Sequence, residues 1–178
     1  MIDTQKYWYA LRVTYQREMK VKGYFDDLGV ETFIPMQTVE RVVSGRKRKA
    51  IVPAIHNLIF VRIEPPQIKH IKQSTALPIC YIMNPESKSP VTIDERQMHD
   101  FITVCNSRIR SLQWETMSAA ELKSGDRMEI TEGMFCGVRG VMVRRNGRGR
   151  FVVSIEVAAV SISIPAKSVK KISEEIPA

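Results

Sequence analysis

The sequence predicts an α+β fold in two parts, an antiparallel sheet with flanking helices joined to a small all-β barrel. Three observations carry that expectation. Apolar residues alternate with a period of two over residues 7–13 and then take a helical spacing as far as Leu28. Beyond residue 123 every apolar run returns to a period of two, with glycines between runs. Residues 106–123 sustain neither period, so the expected division is 1–105, a connector over 106–123, and a second domain over 124–178.

In the first part, "YWYALRV" sets Tyr7, Tyr9, Leu11 and Val13 on one face and Trp8, Ala10 and Arg12 on the other, which is a strand. From Tyr15 to Leu28 the residues Val21, Phe25 and Leu28 fall at i, i+4 and i+7, and Gly29 ends this first helix. "ETFIPMQTVERVV" reads as one long strand, "SGRKRKA" as a turn, and Ile51 to Ile63 as the returning strand, with Pro53 marking an irregular entry. "NLIFVRI" is apolar on both faces, so either the fold covers both or one meets a partner. Ile68 and Ile71 after Pro65-Pro66 predict a short helix, and "ICYIM" another strand. Asp94 then caps a helix, with Gln97 at the capping-box position and Met98, Phe101, Ile102 and Cys105 on one face. In the second part, "RMEIT", "VRGVMV", "RFVVSIEV" and "VSISIP" are short strands spaced as in a small barrel.

The formal net charge of +8 favours a polyanionic neighbour. It divides evenly, 15 cations against 11 acids up to residue 105 and 12 against 8 beyond it, so neither half is a basic tail. Locally, "RKRK" at 46–49 and "RRNGRGR" at 144–150 are basic clusters at expected hairpin tips, readable as solvated turns or as contacts to a polyanion. No run of about 18 apolar residues and no secretory signal pattern occur, which points to a cytoplasmic protein without a membrane partner. Cys80, Cys105 and Cys136 are odd in number and form no C-x-x-C pair, so they read as small apolar residues.

The stretch "GDRMEITEGMFCGVRG" holds four glycines and invites comparison with a phosphate-binding loop. Such a loop needs a Lys-Ser/Thr pair running into a helix, whose amides hold the anion. Here β-branched strand sequence follows instead, so the glycines are expected to permit positive φ and close strand approach. His56, His70 and His99 lack ligand-spaced companions, and no cysteine has a base nearby in sequence. The expectation is a binding protein with no catalytic residues, metal or cofactor.

"GDRMEITEGMFCGVRGVMVRR" with "IPAKSVKKI" resembles the KOW motif and closing strand of the NusG family. "WYALRV", "IPMQTVERVVSGRKRKAIVP" and "NLIFVRIEP" resemble its N-terminal domain, most closely the RfaH-like paralogues and the UpxY-type antiterminators of capsular polysaccharide operons in Bacteroides. The resemblance implies a NusG-type N-terminal domain, a C-terminal KOW (SH3-like) barrel, and a monomeric transcription elongation and antitermination factor that docks on the clamp helices of RNA polymerase. Carried onto this chain, the polymerase-binding patch falls on Ile55, Leu58 and Phe60. Contact with nucleic acid, non-template DNA or nascent RNA, falls on Arg17, Lys20 and Tyr24 of the first helix, while Arg144, Arg145, Arg148 and Arg150 would serve RNA binding by the KOW domain in the alternative reading. The family's KOW partners, a ribosomal protein or Rho, would meet Ile155 and Val157, although "SIEVAAV" replaces the family's Phe-Gly-Arg turn. A KOW-containing RNA- or ribosome-binding module is the alternative.

Overall fold

The computed structural model describes residues 5–107, 109, 112–115, 125–145 and 148–173. Backbone contacts divide the chain into two compact units, 1–95 and 96–178.

The first unit is built on an antiparallel sheet. Its strands are β1 (Tyr7–Val13), β2 (Glu31–Phe33), β5 (Leu58–Ile63), β6 (Ile79–Tyr81) and β7 (Thr92–Ile93). β1 and β5 lie at the centre, in the order β2-β5-β1-β6, with β7 pairing the start of β1. On one face Tyr9, Leu11, Val13, Ile59, Val61 and Ile63 pack with Val21 and Phe25 of α1 (Glu18–Asp27) and Ile71 of α2 (Pro65–Ser74). The helix spacing read from the sequence therefore marks the buried stripe of α1 at Val21 and Phe25, whereas Leu28, its third member, is exposed at the helix's C-cap. Pro65 opens α2 where a missing N–H costs nothing, and the Glu64 N–H donates to Gln67 Oε1 at 3.2 Å.

The expected long strand over 31–43 is two strands. β2 belongs to the main sheet, whereas β3 (Met36–Val43) leaves it and pairs only with β4 (Arg46–Pro53) as a separate two-stranded ribbon. Pro35 causes the break, because it has no N–H to give a ladder; its carbonyl instead accepts from Ala54 N–H at 2.8 Å and fixes the ribbon's base. The first helix also starts later than its periodicity suggests. Tyr15 and Gln16 sit at φ 60° and 52°, so the chain turns left-handed before Glu18.

Glu18 is buried, and its Oε1 accepts the Asn57 N–H at 2.6 Å, tying α1 to the turn before β5. A charged acceptor in this position is worth more than a neutral one. Glu18→Ala is expected to lower the first unit's stability by about 1.5–3 kcal/mol, with Glu18→Gln costing less, as read from urea midpoints.

The second unit is a six-stranded antiparallel sheet in the order β13-β9-β10-β11-β12-β8. Its strands are β8 (Gln113–Glu115), β9 (Asp126–Ile130), β10 (Arg139–Arg145), β11 (Arg148–Ile155), β12 (Ala158–Ile162) and β13 (Val169–Lys171). Phe151, Val153, Ile155, Val160 and Ile162 are buried, as the period-two pattern predicts. α3 (Glu95–Asn106) falls almost wholly in this unit, ten residues before the boundary expected at 105. Its Asp100 is buried and accepts the Arg139 N–H of β10 at 3.1 Å, while Arg96 donates to the Gly137 carbonyl at 3.2 Å. The segment expected to be a plain connector also contributes β8, whose Trp114 lies opposite Val160 and meets the Phe101 ring edge-on at 6.3 Å. Residues 108, 110, 111 and 116–123 of that connector lie outside the described residues.

Candidate functional site

The glycine-rich stretch settles structurally as strand and turn. Gly125 precedes β9, and residues 132–137 are turns that lead directly into β10 with no helix. Gly137 takes φ 88°. Gly140 has no room for a side chain: a Cβ there would run into the Val152 carbonyl oxygen and come within 2.8 Å of the Phe151 ring. Gly125 and Gly140 serve close strand packing, Gly133 and Gly137 supply positive φ in the turn, and the segment runs into a strand where an anion cradle needs a helix.

Of the proposed polymerase-facing residues, Ile55 is half-buried in the turn before β5, whereas Leu58 and Phe60 are buried. β5 pairs with β2 on one side and β1 on the other, and both its faces are covered, the first of the two alternatives read from its composition. The Phe60 ring stacks on Phe33 with centroids 6.4 Å apart. The three residues therefore do not form one exposed apolar patch.

The first helix also differs in detail. Arg17 and Lys20 are exposed, but Tyr24 is half-buried, packs on the helix-covered core and meets Phe25 edge-on at 5.5 Å. The flat side chain beside the cations is Tyr15, 80% exposed, with the Arg17 guanidinium 5.6 Å above its ring. Helical spacing could not identify it, because Tyr15 precedes the helix in a left-handed conformation.

In the second unit the arginines do not act as a set. Arg144 and Arg148 are exposed at the β10–β11 hairpin, and the Arg145 side chain lies outside the described residues. Arg150 is held within the sheet: it donates from Nε to Ser161 Oγ at 2.7 Å and from Nη2 to the Ser161 carbonyl at 3.1 Å. Ile155 is buried at the end of β11, and Val157 is half-buried in the two-residue turn to β12.

Glu129 of β9 lies between Arg139 of β10 and Lys170 of β13, which reach its two oxygens at 2.9 and 3.0 Å. The hydrogen bond from Arg139, then that from Lys170, holds its carboxyl below the usual value. Its contribution is therefore full above the unfolded pKa of about 4.3 and fades as pH falls through the lower folded value. Glu129→Gln is expected to lower the second unit's melting temperature slightly at neutral pH, with the difference from the unaltered chain shrinking as pH falls below about 4.5, measured by melting at stepped pH.

Among the described residues, no helix is long and apolar enough to cross a membrane, and no three His, Cys, Asp or Glu side chains group as metal ligands. A sequence profile of the family described as "Transcription termination factor nusG" matches residues 6–102, more than half of the chain. A solved structure described under "Domain interaction in Thermotoga maritima NusG" is 17% identical, with 95% of this chain and 98% of that one covered at a TM-score of 0.48. The profile match runs from β1 into α3, over the central sheet, the ribbon and the helices described above. The chain belongs to the NusG family of transcription factors.

Proposed function

We propose that this chain is a specialised NusG-family factor that binds RNA polymerase and suppresses pausing or termination, in the manner of the antiterminators of capsular polysaccharide operons. The observation that carries the reading is the family match over residues 6–102. NusG-family factors interact with RNA polymerase, and their families are defined by binding rather than by catalysis. Suppressing a pause needs only a higher affinity for the elongating conformation than for the paused one. The clamp helices are the proposed docking site, and β5 with the turn before it is the proposed contact. Ile55 is the accessible residue there, and Leu58 and Phe60 shape the surface from beneath. The exposed Tyr15 ring with Arg17 and Lys20 supplies what a single DNA strand requires, a stacking face beside cations.

Co-purification with RNA polymerase tests the docking site. Ile55→Asp places a charge on a partly exposed turn, so it spares the fold and is expected to reduce recovered polymerase by about tenfold. Unchanged recovery would remove this segment from the interface. Phe60→Asp is unsuited to the question, since it buries a charge in the first unit and unfolds it.

A further inference from the structure

The β3–β4 ribbon is not used by any contact described so far, and it concentrates charge. Its strands pair from Met36↔Pro53 to Val43↔Arg46, closed by a two-residue turn in which Ser44 and Gly45 take φ 52° and 73°. Positive φ at both positions is the turn that matches strand twist, so the register is fixed. Residues directly opposite share a face. One face of the outer half therefore carries Arg41 opposite Arg48 and Val43 opposite Arg46, with no acid. The other carries Lys49 opposite Glu40 and Lys47 opposite Val42, with Lys47 and Glu40 4.0 Å apart.

All residues from Glu40 to Lys49 are exposed, and among the described residues Arg41, Arg46 and Arg48 have neither an ion pair nor a side-chain hydrogen bond. Like charges directly opposite destabilise an antiparallel pair, and a two-stranded ribbon is marginal by itself. An arginine face of this kind works against the ribbon's own stability unless a polyanion neutralises it.

We propose that the arginine face of the β3–β4 ribbon is a binding site for the phosphate backbone and major groove of duplex DNA. Arginine's planar fork matches phosphate and the guanine edge, and the major groove admits a two-stranded ribbon. A single strand would call for aromatic stacking platforms, and residues 36–53 contain no aromatic residue. A-form RNA offers only a deep, narrow major groove that side chains do not read. The proposal does not rest on polymerase binding, since it concerns the chain and DNA alone.

The test is fluorescence anisotropy of the full chain with a short duplex DNA between about 50 and 200 mM salt. Replacing Arg41, Arg46 and Arg48 together by glutamine is expected to lower the slope of log K against log salt by about 2–3 and to weaken binding about tenfold or more. The Lys47→Gln/Lys49→Gln variant, altered on the opposite face, is expected to lose less than half as much. Circular dichroism is expected to be unchanged in both, since neutralising exposed like charges removes repulsion. The proposal is overturned by absence of duplex binding in the unaltered chain, an unchanged slope in the triple variant, or an equal loss in the lysine variant. Tighter binding to single-stranded RNA of the same length, or capture only by anionic lipid vesicles, overturns it as well.

Discussion

Phe25→Ala is expected to cost the first unit about 3–5 kcal/mol, enough to leave it largely unfolded under ordinary conditions. Phe25 has no exposed surface and sits where α1 meets the centre of the sheet, among Leu11, Val13, Ile59 and Val61. Its backbone carbonyl accepts from Leu28 and Val30, so the residue stands where the helix hands the chain to β2. Removing the ring opens a cavity that a close-packed layer cannot collapse around. Hydrogen exchange read by mass spectrometry over β1 and β5 is the measurement, and protection equal to that of the unaltered chain would contradict the packing described here.

Gly140→Ala is expected to destabilise the second unit by about 3 kcal/mol or more, although it adds a single methyl group. The added Cβ meets the Val152 carbonyl and the Phe151 ring, with Cε1 and Cζ at 2.8 and 2.9 Å. Val141 pairs with Val152 across the same ladder, so the obstructing carbonyl cannot retreat without breaking the β10–β11 pairing. Phe151 is itself fully buried and has nowhere to turn. A melt of the second unit followed by exchange over β10 and β11 reads the effect. A substitution that proved neutral would show that these strands are less closely opposed than described.

Much of this architecture is legible in the residue order because burial imposes a period. β1, α1, α3 and the strands from β9 onward appear where alternating or helical spacing puts them. What escapes is set by partners distant in sequence. Gln113–Glu115 is too short to show a period, and it is a strand only because β12, more than forty residues later, pairs with it. The division before α3 is equally invisible, since it depends on Asp100 finding the Arg139 N–H. Pro35 is the one local signal of the break: a residue without an N–H in the middle of an apparent strand argues for two strands, as the structure has them.

The site is less legible than the fold for the same reason. "NLIFVRI" reveals two apolar faces, but whether a face is covered depends on layers the segment does not contain. Arg150 belongs to a basic run in sequence, yet Ser161 on the neighbouring strand takes its guanidinium. Tyr15 stands outside the helical stripe and becomes prominent only through its left-handed backbone and the Arg17 side chain over its ring.

In vitro transcription measures directly the proposed action of this NusG-family chain on elongating RNA polymerase. Purified polymerase is run through an intrinsic terminator placed behind a capsule-operon leader, with and without the chain. The expected result is a larger read-through fraction and shorter pause lifetimes with the unaltered chain, and neither change with Ile55→Asp. Read-through and pausing that stay the same at saturating concentrations of the unaltered chain would contradict it.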